Sequence, residues 1–545
     1  MLIKEGNVAY DDFDPSTLTR ARFAWNQSKR AAGLAVQAMR RFDLPANATL
    51  IREWFGLSPK TNPAHAQKLM QVQSNLTEME RAYASRPITL VWAPNIVVIL
   101  ADDLGYADIS AYGSKRIATP NIDRVASEGV AFTDGYSAAP VCSPSRAGLN
   151  TGRYPDRFGF EFNNGPPARD IADNLGLPMP EVTLAAMLKR QGYTTGLVGK
   201  WHLGSNDDFY PTNRGYDEFV GLLTGATSYI DHTRPEVRLA PDGTGADTRA
   251  KRGAANKIVE GPQRTVVNNE DRYLTEYFGE RGVEFIQRNA PKDNPFFLYL
   301  AFNAPHDPLM TTQKYYDRFP HIADEGMRVY ASMVSALDDQ VGQVIDAVEA
   351  SGENGDTIIY FMSDNGCAAY IQGICSCEPL RGGKLSHYEG GVRVPFLMRW
   401  PNAVDKGQVY RKPVSTMDVF TTSVTAGGGK LLADRVYDGV DLTPFVTGAK
   451  TGEPHDMLAW RRTPHASIRK GDWKLWKSLN GEFTLLFNLA ADPNEARNLA
   501  ASEPARLKEL EAAFDQWASD LQDPAWPSRP AVKYDVCGTP FELPI

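Results

Sequence analysis

Four apolar runs of the chain end in polar residues that could bind an ion or move a proton. In chain order these residues are Asp102 with Asp103, Lys200 with His202, His306, and Asp364 with Asn365. Each one alone is typical of an ordinary turn or of a hydrogen-bonded structural histidine. Together they place acids, an amide, a cation and two imidazoles at the ends of four similar segments.

The chemistry of this set is that of an ion site. Its acids and its amide supply three carboxylates and one amide oxygen, which are the hard ligands that Ca²⁺ and Mg²⁺ prefer. Lys200 and His202 are two residues apart in an extended segment, so their side chains project to the same side. Lys384, in the segment RGGKLSHYEGG, adds another cation. The combination predicts a site for a tetrahedral anion with a histidine for proton transfer.

A further candidate is the segment CSPSRAGLNTG, which begins at Cys142. Pro144 suits the first turn of a helix, and Arg146 follows Cys142 by one turn. A nucleophile at a helix N-terminus above an arginine is well placed to stabilise an oxyanion. The residues alone leave two alternatives for Cys142: a thiolate nucleophile of low pKa, or a buried structural cysteine.

The apolar runs alternate with helical segments such as Leu184–Gln191 and Val329–Ala350. This alternation predicts an α/β fold with a large, mostly parallel sheet between two layers of helices. Ligands bind beyond the carboxyl ends of the strands in such sheets, so the polar ends are expected in one crevice. After residue 450, alternating residues predict a small antiparallel sheet with a turn at Asn480–Gly481, followed by a helix at Pro504–Leu521.

We therefore expect three parts: a helical N-terminal extension (1–92), the α/β domain (93–449) and a C-terminal α+β subdomain (450–545). Within the extension, Thr17–Phe42 and Ala64–Tyr83 read as helices, and the first has six basic residues and no acid. It could lie on a membrane surface. We favour a basic helix docked on the chain's own acidic body or on a second subunit, which would make a homo-oligomer through residues 1–92.

Composition excludes several classes of protein. The chain has 545 residues, 42% of them apolar, and a net charge of −8, so it is neither disordered nor suited to nucleic acid. Five cysteines fit a reducing compartment. The N-terminus has no apolar core, and the apolar stretch around Ile96–Ala101 is shorter than the ~20 residues that span a bilayer. These features predict a cytoplasmic protein with no transmembrane segment.

The motifs together resemble the type I sulfatases of the alkaline phosphatase superfamily. Cys142-Ser-Pro-Ser-Arg146 followed by Thr151-Gly-Arg153 is similar to the signature of that family. The other matching motifs, in the family's order, are Asn95–Gly105 (NIVVILADDLG), Gly199–Gly204 (GKWHLG), Ala304–Pro308 (APHDP), Ser363–Gly366 (SDNG) and Gly383–Pro395 (GK…EGGVRVP). The resemblance covers residues 93–545.

The resemblance implies a covalent modification. A maturation enzyme would oxidise Cys142 to Cα-formylglycine, and one hydroxyl of its hydrate would attack the sulfur of a small-molecule sulfate ester. The alcohol or phenol would leave, and deprotonation of the second hydroxyl would release sulfate and regenerate the aldehyde.

The resemblance also implies a role for each motif residue. One divalent cation, usually Ca²⁺ with Mg²⁺ or Mn²⁺ as alternatives, would be bound by Asp102, Asp103, Asp364, Asn365 and the modified Cys142. Arg146 would hold the formylglycine hydrate, and Lys200 would bind the sulfate. His202 would take the proton that releases sulfate, while His306 and Lys384 would bind sulfate and assist the leaving group.

Other features are less specific. The remaining cysteines are Cys367, Cys375, Cys377 and Cys537. A soft-metal site lacks a fourth ligand at typical spacing, so a loop at the pocket mouth with free or variably oxidised thiols is the simpler interpretation. The loops 161–180, 224–264 and 366–379 are expected to shape the pocket, with Tyr229, His232 and Tyr370 as candidate lining residues.

The expected activity is hydrolysis of small aryl or alkyl sulfate esters. A phosphonate monoester or phosphodiester hydrolase with the same crevice is the nearest alternative. A binding protein with an inactive site is a third, which the complete set of motif residues argues against.

Overall fold

The computed structural model describes residues 93–165, 167–241, 256–268, 271–371, 373–374, 379–528, 532–536 and 539–543. The chain divides into two units, Met1–Ala93 and Pro94–Ile545. The expected helices at Thr17–Phe42 and Ala64–Tyr83, and with them any role of residues 1–92 in an oligomer, lie outside the described residues. Within the described residues, no helix is both long enough and apolar enough to cross a bilayer.

The described strands are short, and those of the central sheet are mostly buried. They are β1 Asn95–Ala101, β2 Val130–Phe132, β3 Gly135–Tyr136, β4 Thr194–Lys200, β5 Glu218–Leu222, β6 Val237–Leu239, β7 Ile258–Glu260, β8 Thr265–Val267, β9 Phe296–Ala301, β10 Met310–Thr312, β11 Thr357–Ser363, β12 Phe396–Arg399, β13 Gln408–Tyr410, β14 Val414–Ser415, β15 Met457–Arg462, β16 His465–Lys470, β17 Trp473–Ser478, β18 Thr484–Asn488, β19 Val532–Val536 and β20 Thr539–Leu543. The described helices are α1 Pro120–Ser127, α2 Cys142–Thr151, α3 Pro167–Ala172, α4 Leu184–Arg190, α5 Leu274–Asn289, α6 Gln313–Tyr316, α7 Glu325–Ala350, α8 Glu389–Val392, α9 Asp418–Ala426, α10 Thr443–Val446 and α11 Pro504–Ala518.

A mixed sheet of ten described strands forms the centre, in the order β13-β2-β12-β11-β1-β9-β4-β5-β7-β8. Its middle is parallel: β1 lies between β11 and β9, and β4 lies between β9 and β5. Strands β12 and β7 pair antiparallel with β11 and β5. The expected α/β fold is confirmed, and the antiparallel strands lie toward the two edges of the sheet.

Helices cover both faces of this sheet. Val97 and Ile99 belong to the same core cluster as residues of α1, α5 and α7. Tyr360 is register-paired with Val98, and its hydroxyl lies near the hydroxyls of Thr422 and Ser423 of α9, on the opposite face. Because the parallel strands β11, β1, β9 and β4 are neighbours, their carboxyl ends open at one edge, which is where the polar residues were expected.

The C-terminal part contains an antiparallel sheet in the order β15-β16-β17-β18. The expected turn at Asn480–Gly481 lies between β17 and β18, and the helix expected from Pro504 is α11. Leu510 and Phe514 of α11 share a core cluster with Ile468 and Leu475 of the sheet. The same cluster includes Ala138, Tyr154 and Met417, so this sheet and helix pack against the α/β part of the chain.

Candidate active site

The candidate nucleophile begins a helix. Val141 has extended backbone (φ −151°, ψ 151°), and α2 starts at Cys142 and ends before Gly152, which adopts a left-handed φ of 67°. Every residue of α2 is buried. Cys142 therefore lies at the partially positive N-terminus of a buried helix, which favours a negative charge on a group at that position.

Arg146 lies one turn after Cys142 and fixes the ends of two strands. Its Nε and Nη2 lie 2.9 Å from Oδ2 of Asp364, and its Nη1 donates to the carbonyl oxygen of Lys200 at 2.8 Å. The guanidinium is fully buried. Burial opposes its charge, but the carboxylates of Asp364 and Asp102 raise the pKa of Arg146 above its ordinary value. Arg146 is thus a permanent cation within the site.

The acids surround Cys142. Its Sγ lies 3.5 Å from Oδ1 of Asp102 and 3.8 Å from Oδ1 of Asp103. Oδ1 of Asp364 accepts from the backbone N–H of Asp103 at 3.2 Å. Potential ligand atoms of Asp102, Asp103, Cys142 and His306 all lie within 4.8 Å of one another. This group overlaps the expected metal ligands, with His306 in addition.

Asn365 provides a test of whether a cation fits here. Its Nδ2 donates to Oδ1 of Asp103 at 2.7 Å and to the carbonyl oxygen of Gly366 at 2.9 Å. Its Oδ1 is buried and, among the described residues, has no hydrogen-bond partner. An unpartnered amide oxygen among carboxylates is energetically costly unless it binds a cation or a donor. The donor set therefore fits a divalent cation.

Two lysines balance the acids. Nζ of Lys200 lies 2.6 Å from Oδ2 of Asp102, and Nζ of Lys384 lies 2.7 Å from Oδ1 of Asp103. With Arg146, the site has as many cationic side chains as carboxylates. A divalent cation would leave the site with net positive charge, which suits an anionic substrate.

His306 lies at the open side of this cluster. Its Nε2 is 3.6 Å from Oδ2 of Asp103, its Nδ1 is 2.6 Å from the carbonyl oxygen of Asp307, and its side chain is 11% exposed. The hydroxyl of Tyr229 donates to the carbonyl oxygens of Asn303 and His306, at 2.5 and 2.9 Å. Tyr229 is fully buried, so it holds the His306 loop in place and does not line a pocket.

His202 follows β4 with a left-handed φ of 57°, which costs about 1–2 kcal/mol for a residue with a Cβ. Its carbonyl oxygen accepts from Oγ of Ser143 at 2.5 Å, next to Cys142. Burial, Lys200 and Arg146 lower the pKa of His202 well below its ordinary value. His202 is therefore a neutral imidazole that can accept a proton, and its Nδ1 has no partner among the described residues.

The carboxyl groups and the thiol are strongly perturbed. Burial raises the pKa of Asp102, but Lys200 and His306 outweigh it and hold that pKa below its usual range. Burial and the charge of Asp102 raise the pKa of Asp364 to about 6. Burial also raises the pKa of the Cys142 thiol, which is the opposite of what the thiolate interpretation expects.

The structure thus brings the predicted catalytic and metal-binding residues into one buried cluster. Sequence reasoning missed three of their neighbours: Ser143, Asn164 and Asp307. Ser143 donates to Asn164 and to the carbonyl oxygen of His202, and Oδ1 of Asp307 accepts from the hydroxyl of Tyr370, a predicted lining residue, at 3.3 Å. Adjacency to Cys142 and His306 was the available signal for Ser143 and Asp307.

Comparison with known proteins identifies the family. Residues 94–429 match the family model "Sulfatase". N-acetylgalactosamine-6-sulfatase of Mus musculus is 34% identical over 77% of this chain and 78% of its own length. Steryl-sulfatase of Rattus norvegicus is 32% identical over 82% of this chain and 92% of its own length. The chain belongs to the sulfatase family, whose members hydrolyse sulfate esters.

Solved structures agree with this assignment. The crystal structure of Ps i-CgsB in complex with k-i-k-neocarrahexaose matches with a TM-score of 0.70 and 34% identity, covering 80% of this chain and 94% of that chain. The fold is alkaline phosphatase-like. The phosphonate monoester hydrolase of Agrobacterium radiobacter matches with a TM-score of 0.57 at 22% identity, over 82% of this chain and 99% of that chain, which shows the fold alone.

The prediction of a cytoplasmic location is wrong. The N-acetylgalactosamine-6-sulfatase and steryl-sulfatase relatives are enzymes of the lysosome or the endoplasmic reticulum. The prediction depended on the first residues of the chain, which lie outside the described residues, and on the low cysteine count. Cys367 takes part in a disulfide bond, which is the oxidised of the two alternatives expected for its thiol, and such bonds persist mainly in oxidising compartments.

Proposed function

We propose that this sulfatase uses formylglycine made from Cys142 and one divalent cation to hydrolyse sulfate esters of hydroxyl compounds. The observation that carries the proposal is the position of Cys142. It lies at a buried helix N-terminus within 3.5 and 3.8 Å of two carboxylates. Burial raises the pKa of its thiol, and the family implies a formylglycine at this position.

The cation would be held by the carboxylates and the unpartnered amide oxygen around Cys142. These ligands are Asp102, Asp103, Asp364 and Asn365, with the modified Cys142 completing the set. When bound, a divalent cation polarises oxygen ligands and stabilises negative charge that develops on them. Oxygen donors of this kind favour Ca²⁺ over softer metals.

The cationic side chains would bind and orient the sulfate. Nζ of Lys200 pairs with Asp102 and Nζ of Lys384 pairs with Asp103, so both cations lie beside Cys142, where they would bind sulfate oxygens. His306 lies at the open side, where the leaving oxygen departs, and can donate a proton or hydrogen bond to it. His202, neutral and next to Ser143, is the residue placed to take a proton when sulfate is released.

The pocket mouth favours a carbohydrate leaving group. Beside His306 lie the carboxylate of Asp307, which is 19% exposed, and the hydroxyl of Tyr370 bonded to it. Carboxylates and hydroxyls suit sugar hydroxyl groups, whereas a steroid requires apolar walls. Relatives named N-acetylgalactosamine-6-sulfatase, and the neighbour in complex with k-i-k-neocarrahexaose, support the same class.

A panel of four substrates tests this proposal. The kcat/KM of the Ca²⁺-loaded enzyme is measured for 4-nitrophenyl sulfate, N-acetylgalactosamine 6-sulfate, a steroid sulfate and a phosphonate monoester. We expect the sugar sulfate to give the highest value. Cys142→Ala, which cannot be converted to formylglycine, should abolish turnover of every ester.

Each contrary outcome has a distinct meaning. A phosphonate monoester preferred by orders of magnitude would refute sulfate-ester hydrolysis as the principal activity. A preferred steroid sulfate would refute the carbohydrate assignment alone. Full activity of Cys142→Ala would refute the nucleophile.

A further inference from the structure

Lys384 lies on a loop whose backbone is strained. We define the Lys384 loop as residues 381–391. Gly382 and Leu385 have positive φ values of 86° and 77°. For Leu385 this conformation is strained because its Cβ crowds the backbone. Such a conformation persists only where the surroundings fix it.

Part of the support comes from the α/β domain. The backbone N–H of Lys384 donates to the carbonyl oxygen of Cys367 at 2.8 Å, and that of Leu385 donates to Pro140 at 2.8 Å. These bonds hold the backbone of Lys384 above the site. In the second half of the loop, the N–H of Gly366 and the hydroxyl of Tyr136 donate to Gly391 and Glu389, so the α/β domain supports this half as well.

The C-terminal part of the chain supplies a second support. Nζ of Lys474, on β17, lies 2.9 Å from Oε1 of Glu389 and 3.1 Å from Oε1 of Glu495. Oε2 of Glu495 accepts from the backbone N–H of Glu389 at 2.6 Å, and its carbonyl oxygen accepts from Nη1 of Arg381 at 3.1 Å. Glu495 therefore bonds both ends of the Lys384 loop.

The contact is fully desolvated. The side chains of Glu389, Lys474 and Glu495 are each 0% exposed. Arg393 and Arg469 lie near them, with the carboxylate of Asp134. The network is formally neutral: three acids face three cations.

A buried network of this kind contributes little net stability, because desolvation offsets most of the attraction. Its effect is to fix geometry, since loss of one member leaves a buried charge unpaired. Two further hydrogen bonds also join the Lys384 loop to the C-terminal sheet. Nδ1 of His387 bonds Oγ of Ser467 at 2.8 Å, and Nη1 of Arg462 donates to the carbonyl oxygen of Leu385 at 3.1 Å.

We propose that Glu495 and Lys474 are positioning residues for sulfate-ester hydrolysis, which hold the Lys384 loop so that Nζ of Lys384 remains against Asp103. The C-terminal sheet is then part of the catalytic apparatus, although it supplies no group that touches substrate. This inference rests on the proposed role of Lys384 in binding sulfate.

A double-mutant cycle tests the inference on the Ca²⁺-loaded full chain. The variants are Glu495→Gln, Lys384→Ala and the double variant, with kcat and KM measured for the best sulfate ester of the panel. We expect Glu495→Gln to lower kcat/KM about 10-fold or more, because a shift of about 1 Å in a positioned group can cost that much. In the Lys384→Ala background the same change should cost less than about two-fold, since a residue acting through Lys384 has nothing left to position.

Controls separate positioning from loss of structure. Asp438→Asn removes another little-exposed acid, which pairs with Arg157 at a distance of 2.7 Å and lies outside the Lys384 loop. Its kcat/KM should change less than about two-fold. Ser467→Ala removes only the hydroxyl that bonds His387. It replaces Glu495→Gln in the double-mutant cycle if Glu495→Gln does not fold. It should show the same dependence on Lys384.

The outcomes distinguish two failures. Unchanged activity of Lys384→Ala would refute the proposed role of Lys384 and the inference with it. An impaired Lys384→Ala combined with additive losses in the double variants would overturn the inference alone. Non-additivity, with the Asp438→Asn control intact, supports it.

Discussion

Replacing Arg146 with alanine tests how much its buried ion pair with Asp364 stabilises the protein. Its guanidinium is 0% exposed and holds Asp364 through two contacts of 2.9 Å. Nη2 of Arg146 also lies 3.7 Å from Oδ1 of Asp102. Arg146→Ala leaves Asp364 buried without this partner. Breaking a buried ion pair from one side costs about 3–5 kcal/mol, so we expect a loss of that size in the free energy of unfolding.

A divalent cation should reduce that loss. If Asp364 is a ligand, a bound cation compensates the charge that Arg146 no longer balances. Ca²⁺ should therefore stabilise Arg146→Ala more than it stabilises the wild-type protein, because a ligand that binds only the native state shifts unfolding by mass action.

The assay is urea unfolding at pH 7.5, monitored by tryptophan fluorescence, with EDTA and with Ca²⁺. Arg399→Ala is the matched control: Arg399 is 1% exposed, but its partners Glu128 and Glu349 are 28% and 38% exposed. Water can solvate those carboxylates, so their pairing should contribute only about 1 kcal/mol. A loss below about 1 kcal/mol for Arg146→Ala, or an equal loss with and without Ca²⁺, would refute the reasoning.

Three further predictions concern single residues. Asn365→Ala removes the unpartnered amide oxygen and should weaken Ca²⁺ binding about 10-fold or more, measured by calorimetry; unchanged affinity would exclude Asn365 as a ligand. His202→Ala should lower kcat about 10²–10⁴-fold while a first turnover of substrate is retained in rapid-quench experiments; loss of that first turnover would contradict a role in release. Asp418 raises the pKa of His455 despite its burial, so this pair stabilises the fold below about pH 6.5 and the contribution is lost as pH rises through the folded pKa. His455→Phe should remove that part of the pH dependence in thermal unfolding, and an unchanged pH profile would count against the pair.

The sequence was sufficient for the parallel core of the sheet and the crevice residues. Four apolar runs correspond to β1, β4, β9 and β11, and the polar residues at their ends lie together because parallel neighbours end at the same edge. Helix α7 begins at Glu325, earlier than the apolar pattern indicates, because the side chain of Asp324 caps it by accepting from the N–H of Met327.

What the sequence could not provide are contacts between distant side chains. Glu389 meets Lys474 and Glu495 across 85 and 106 residues, and no local periodicity encodes such a pairing. The same holds for Tyr229, which looked like a pocket residue because it is an aromatic in a loop. Its hydroxyl instead bonds carbonyl oxygens 74 and 77 residues away.

The most direct test of the central claim is the mass of the tryptic peptide Val125–Arg146 from active enzyme. Conversion of the Cys142 side chain from –CH₂SH to –CHO lowers the mass by about 18 Da, whereas ordinary thiol oxidation adds oxygen and raises it. The account predicts the lighter aldehyde peptide, in proportion to the specific activity of the preparation. A fully active preparation in which Cys142 carries an unmodified thiol would contradict it.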